Sequence, residues 1–195
     1  VNRPYIIKSV WEHASIGLDQ ESVVFAADVQ TLYREMRNRA RKHNGQCFAE
    51  TFIEGREFNL SLLADGADLE VLPHAEIRFV DYPEDKLKIV DYRAKWDEDS
   101  FEYAHSVRSF DFGKDDEPLL QKLSEIARKC WKIFGLKGYA RIDFRVDREG
   151  KPWVLEVNAN PCLSPDSGFV AAAKQAKLSF NEVVERIIKD CISKG

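Results

Sequence analysis

The sequence predicts a mixed α/β protein, and three observations predict it. Runs such as "YARIDFRV" and "WVLEVN" alternate with the two-residue period of strands. Another run, through Leu119, Leu123, Ile126, Cys130 and Phe134, keeps the 3.6-residue period of an amphipathic helix. Strand-like and helix-like runs then succeed one another along the chain, separated by turn sequences such as "DGAD".

Taken in order, "PYIIKSV" is a short apolar strand containing Lys8, and the small and polar "WEHASIGL" after it reads as a loop. "DVQTLYREMRNRARKHNG" reads as a helix with Asp28 near its start and Asn44-Gly45 as its stop. Its basic residues Arg34, Arg37, Arg39, Arg41 and Lys42 fit a solvated helix face better than a nucleic-acid patch. "CFAETFI" and "EFNLSLLA" are strands, and "DGAD" is a hairpin turn leading into "LEVLPHAEI". From Arg78 to Ser109 no clear period appears, which predicts a long, partly ordered loop of the kind that usually has a function. Asp116, Glu117 and Pro118 open the helix of the 3.6-residue run, and Gly135 ends it. An Ala-rich helix follows at about 167 to 177, and Ser179 with Glu182 forms a capping box before "VVERIIKDC".

Composition narrows the function classes. A chain of 195 residues with 44% hydrophobic and 32% charged residues can bury a core, and no apolar run approaches the length of a membrane span. No secretory signal pattern is visible, so a cytoplasmic protein without a membrane partner is expected. The four cysteines, Cys47, Cys130, Cys162 and Cys191, include no C-x-x-C pair and suggest free thiols in a reducing compartment. A net charge of -4 argues against a mainly electrostatic nucleic-acid binder.

The two alternating runs at 139–158 pose a chemical problem. If residues 148–151 form a four-residue hairpin loop, Val146 pairs with Trp153, Asp143 with Glu156, and Arg141 with Asn158. Trp153, Leu155 and Val157 then share one face, and Val154, Glu156 and Asn158 the other. Two facing carboxylates repel unless a proton or a cation stands between them. Asp143, Glu156 and Asn158 offer three hard oxygen ligands of the kind Mg2+ takes beside substrate phosphates. The alternative is a solvated sheet in which the carboxylates are cross-strand partners of Arg141 and Arg145. Likewise Lys8, beside a loop with Ser15 and Gly17, either faces an anion or merely ends a strand.

Together, "YIIKSVWEHASIGL", "AETFIEGREFNL", "VDYRAKW", "ARIDFRVDREGKPWVLEVNANP" and "AAAKQAKLSFNEVVERII" resemble, in order and over nearly the whole chain, the ATP-grasp superfamily in its D-alanine–D-alanine ligase branch. The resemblance implies two α/β subdomains with antiparallel sheets gripping a nucleotide. Residues 1–54 would be part of the central subdomain and 55–195 the carboxy-terminal one, without the family's amino-terminal domain. It implies ATP with Mg2+, or Mn2+, as cofactors, and ligation of a carboxylate to an amine through an acylphosphate. By that likeness Lys8 contacts the α and β phosphates, and the loop with Ser15 and Ile16 folds over the triphosphate. Glu50 with the Phe52 and Ile53 backbone holds adenine, Leu155 belongs to the same nucleotide set, and Glu57 takes the ribose hydroxyls. Lys95 reaches the γ phosphate, Asp143, Glu156 and Asn158 ligate magnesium, and Arg141 steadies the tetrahedral intermediate, so that Arg141, Lys95 and Ser15 form the catalytic set.

Two departures qualify these expectations. The family carries further sequence before the strand of Lys8, including a second phosphate-contacting lysine, so the chain reads as a piece of a longer enzyme. After "NANP" this chain has "CLSPDSGF", with Cys162 at the family's glycine position and Asp166 nearby, which alters the acceptor pocket. Asp166 suits a substrate with an extra amine, or else an exposed turn after Pro165. The expected substrates are small amino acids or peptides, and a homodimer is compatible with the family. The competing readings are a nucleotide-binding module that ligates nothing and a kinase-like activity.

Overall fold

The computed structural model describes residues 2–12, 14–41, 45–66 and 68–193. His13, Lys42, Asn44 and Ala67, which carry parts of the loop, basic-run, helix-stop and turn readings above, lie outside the described residues. The chain divides into two compact units, Val1–Glu54 with Arg78–Val107, and Gly55–Ile77 with Arg108–Gly195.

In the first unit, β1 (Arg3–Ser9) is the middle strand of an antiparallel sheet between β2 (Val23–Ala26) and β3 (Cys47–Thr51). β2 is a strand the sequence patterns do not separate from its loop. Helix α1 (Val29–Ala40) starts where the Asp28 carboxylate accepts from Thr31 N at 2.7 Å, as its N-cap type predicts. Cys47 stands opposite Ser9, and its thiol donates to the Met36 carbonyl of α1 at 3.3 Å. The helix therefore covers the sheet face of Ile7 and Ser9 and leaves the alternate face, with Ile6 and Lys8, clear of it. Arg39 departs from the expected solvated run: it is turned inward and buried, whereas Arg34, Arg37 and Arg41 are exposed.

The stretch expected as a long loop is more ordered than its lack of period suggests. It holds α2 (Tyr92–Trp96), capped by Asp91, and α3 (Phe101–His105), capped by Ser100. These are single helical turns, too short for a period to register. The Lys86 ammonium, 2.6 Å from the buried Glu102 carboxylate and 4.9 Å from the Phe101 ring centroid, ties the segment to itself.

The second sheet runs β7-β6-β4-β8-β9, with β5 also on β4. Its strands are β4 (Arg56–Asp65), β5 (Asp68–Val71), β6 (Ala75–Phe79), β7 (Ser106–Ser109), β8 (Tyr139–Val146) and β9 (Pro152–Asn158). "LEVLPHAEI" is thus two strands on the same edge of β4, not one, because Pro73 has no N–H to give the ladder. Alternation sends Phe58, Leu60 and Leu62 of β4 and Ile142, Phe144 and Val146 of β8 to one face. There they bury against Leu123, Ala127 and Cys130 of α4 (Glu117–Ile133), each large apolar side chain contributing roughly 1.5–3 kcal/mol. Phe134, expected on that apolar stripe, is instead the exposed C-cap, and Gly135 follows in the left-handed region.

On the opposite face α5 (Gly168–Gln175) and α6 (Phe180–Ser193) pack Phe169, Ala172, Ala173 and Val183 against Leu63 and Tyr139. The capping box is present: Ser179 N donates to Glu182 Oε2 at 2.7 Å and Glu182 N to Ser179 Oγ at 3.2 Å. These helices cover one end of that face. Its other end carries Glu57, Asn59 and Ser61 of β4 and Arg145, Asp143 and Arg141 of β8. Gly55, at the start of β4, has φ 151°, and a Cβ there would meet the Val146 carbonyl oxygen at 1.9 Å, so no larger residue fits.

Candidate functional site

The polar half of the second sheet brings together five of the expected site residues, Arg141, Asp143, Glu156, Asn158 and Glu57. Asp143 faces Glu156 and Arg141 faces Asn158 across the β8–β9 hairpin, as the alternation predicts. The route differs. Val146 pairs with Pro152 and Arg145 with Trp153, so the loop is one residue shorter than expected, and Leu155 is an unpaired extra residue that restores the register. The bulge also corrects the faces: Trp153 stands with Arg145 on the polar side, and Val154 with Phe144 on the other.

The Arg141 guanidinium takes the buried Asp143 carboxylate in a two-pronged grip, Nε to Oδ1 and Nη2 to Oδ2, each at 2.7 Å. Asn59 Nδ2 donates to the same Oδ1 at 2.9 Å. Burial works against the Arg141 charge, but the carboxylates of Asp143, Glu156 and Glu57 outweigh it and hold the guanidinium above its ordinary value. Glu57 pairs with Arg145 at 3.1 Å, and Asn158 Oδ1 accepts from Asn160 N at 3.0 Å. Glu156 is exposed. Among the described residues no three His, Cys, Asp or Glu side chains stand together, so the donor set is two carboxylates with an amide. Hard oxygens on two adjacent strands fit an ion that keeps several of its waters, while Arg141 neutralises one of the carboxylates.

In the first unit Lys8 forms an ion pair with Glu50, which lies diagonally across β1 and β3 because Glu50 faces Ile6. The loop after β1 is strained: Ala14 and Ser15 have φ of 55° and 65°, and Gly17 follows at 72°. Ser15 Oγ donates to the Val90 carbonyl at 2.9 Å, and Ile16 is exposed. Phe52 N donates to the Pro4 carbonyl at 3.0 Å, which continues the ladder past β3, with Ile53 next in the chain. Lys95 lies in the last turn of α2, beside Trp96, whose indole donates to the Ala14 carbonyl at 2.9 Å.

After β9, Cys162 is exposed; its thiol bonds the Ser164 Oγ at 3.2 Å and accepts from Ser164 N at 3.4 Å, and these contacts with Ser164 lower the thiol below its ordinary range. The Asp166 carboxyl is likewise held down, first by Ser164 and then by the charges of Arg108 and Lys174. Asn59 and Arg145, the partner of Glu57, are absent from the sequence-based set. Their signal was the polar alternation Glu57, Asn59, Ser61 inside "EFNLS".

Solved structures share this fold. The D-alanine-D-alanine ligase from Coxiella burnetii aligns with a TM-score of 0.67 at 18% identity, over 97% of this chain and 45% of that one. The Bacillus anthracis D-alanine--D-alanine ligase complexed with ATP aligns at 0.67 and 20% identity, over 97% and 53%. By sequence, the D-alanine--D-alanine ligase of Carboxydothermus hydrogenoformans is 33% identical over 95% of this chain and 54% of its own length. That of Aquifex aeolicus is 33% identical over 95% and 55%. The chain thus spans about half the length of the curated relatives it matches. The family described as D-ala D-ala ligase C-terminus matches residues 1–189, and the chain belongs to it.

Proposed function

We propose that this chain supplies the nucleotide- and metal-binding portion of an ATP-dependent ligase that joins a carboxylate to an amine, in the manner of the D-alanine–D-alanine ligases. The observation that carries the reading is the facing of Asp143 and Glu156, with Arg141 and Asn158 one step along the hairpin. In this reading Asp143, Glu156 and Asn158 hold Mg2+, and Lys8, Lys95 and the Ser15–Ile16 loop hold the phosphates. Glu50, Phe52, Ile53 and Leu155 bind the base, and Glu57 the ribose. ATP supplies the phosphoryl group that activates the substrate carboxylate. Arg141 keeps a permanent charge at the reacting centre, where it offsets negative charge that develops as the amine attacks. No nucleophilic side chain is needed, because the amine of the substrate attacks. The substrates are small amino acids or short peptides.

Cys162 and Asp166 set the acceptor side apart from a plain D-alanine pocket. Asp166 is exposed, and Ser164 first, then the charges of Arg108 and Lys174, keep it ionised. A second reading, binding of Mg-nucleotide without ligation, rests on the same metal- and phosphate-facing residues, since the departures at Cys162 and Asp166 fall on the acceptor side.

Melting curves with and without Mg-ATP, alongside coupled detection of ADP over a panel of D- and L-amino acids and short peptides, test the proposal. A nucleotide-dependent rise in Tm with ADP release that depends on an amino acid supports the ligase. A rise in Tm without ADP release moves the weight to the binding reading, and no rise overturns both.

A further inference from the structure

This inference rests on the reading of loop 14–22 as part of a nucleotide site. Left-handed backbone at Ala14 and Ser15 is unfavourable for residues with a Cβ and persists only where neighbours over-determine it. Two sets of neighbours do so. The first is the segment 87–96: Ser15 Oγ donates to Val90 O, Tyr92 N to Leu18 O at 3.0 Å, and Trp96 Nε1 to Ala14 O. The Gln20 side chain joins them, accepting from Leu87 N at 2.8 Å and donating to its carbonyl at 3.1 Å.

The second is one side chain of α1. Arg39 Nη2 lies 3.0 Å from the Gly17 carbonyl, 2.8 Å from Asp19 Oδ1 and 2.8 Å from Ser22 Oγ. Arg39 is 5% exposed and Ser22 fully buried, so the bond between them forms away from water, while the bond to Asp19 reaches a partly exposed carboxylate. Asp19 and Ser22 also bond each other, with Asp19 N donating to Ser22 Oγ at 2.9 Å, so the grip reaches the whole loop end. All three contacts fall on Nη2, whose two hydrogens are held in the guanidinium plane and shared among the three acceptors, whereas the hydrogens of an ammonium pivot freely. We infer that Arg39 is a positioning residue. From the packed face of α1 it pins loop 14–22 in the shape that receives the anionic part of a nucleotide, so that the shape does not depend on segment 87–96 alone.

The test uses the full 195-residue chain and the variants Arg39→Lys, Arg39→Met and Arg37→Met, the last removing an exposed charge from the same helix. Calorimetric titration gives Kd for Mg-ATP, and amide exchange reports on residues 15–22 without nucleotide. Arg39→Lys is expected to weaken Mg-ATP binding roughly tenfold and to speed exchange at Gly17 and Leu18. Its Tm should stay near the parent's, and Arg37→Met should change neither readout. If Arg39→Met fails to fold, Arg39→Lys decides. Parental Kd and exchange in Arg39→Lys, or a lower Tm with parental Kd, overturns the positioning role alone. A parent chain that binds no Mg-ATP removes the nucleotide reading and this inference with it.

Discussion

Asp143 and Glu156 face each other with the same formal charge, yet their surroundings differ. Asp143 is buried in the grip of Arg141 and Asn59, while Glu156 is exposed. Replacing Asp143 with Asn leaves the half-buried Arg141 charge without its bonded partner, an expected loss of roughly 2 kcal/mol in urea unfolding. Replacing Glu156 with Gln removes a repulsion at the surface and should leave stability within about 0.5 kcal/mol of the parent. Both variants should lose the Tm rise given by Mg-ATP. Glu156→Gln retaining the full rise would remove Glu156 from the metal set. The facing of these two residues was legible because a strand's alternation is a property of the backbone. Which arginine turns inward was not: Arg37 and Arg39 look alike in a basic run, and only the acceptors on loop 14–22 distinguish them.

At the scale of elements, the hairpin shows how a right pairing can come from an inexact path. The turn is one residue shorter than its Gly-containing sequence suggested, and the extra residue at the Leu155 bulge makes up the difference before Asp143 is reached. Bulges leave no signature in an apolar–polar pattern, so the faces of Trp153 and Val154 could not be read. The break between β5 and β6 falls at Pro73, inside a run that reads whole in the sequence, and it positions a titratable group. His74 Nε2 meets Ser124 Oγ of α4 at 2.8 Å, and burial lowers the imidazole below its ordinary 6.5, opposed by a backbone hydrogen bond at Leu120. A depressed histidine favours the folded chain when neutral. Its contribution is present above the unfolded value of 6.5 and is lost as pH falls from there through the folded value. The urea midpoint should therefore drop between about pH 7.5 and about pH 5.5, and drop less in His74→Gln. Equal pH dependence in the two proteins would show that His74 is not coupled to folding.

At the scale of the whole molecule, the chain does not assemble in sequence order. A linear division at 54/55 separates residues 1–54 from a segment that belongs with them, 78–107. Nothing in the sequence announces this return, because the contacts that cause it are single hydrogen bonds instead of a periodic apolar face. Ile89, Asp91, Ser100 and Glu102 are buried, and Leu87, Val90 and Tyr92 bond to Gln20, Ser15 and Leu18. A piece of 54 residues lies near the lower limit of what one core sustains, and without 78–107 it also leaves loop 14–22 without half of its bonds. Residues 1–54 alone should therefore show no cooperative thermal transition by circular dichroism and poor amide dispersion by NMR. The same residues joined by a short flexible linker to 78–107 should recover both. Cooperative unfolding by 1–54 alone would mean that α1 and its three strands carry their own stability, and that segment 78–107 rests on a scaffold already formed.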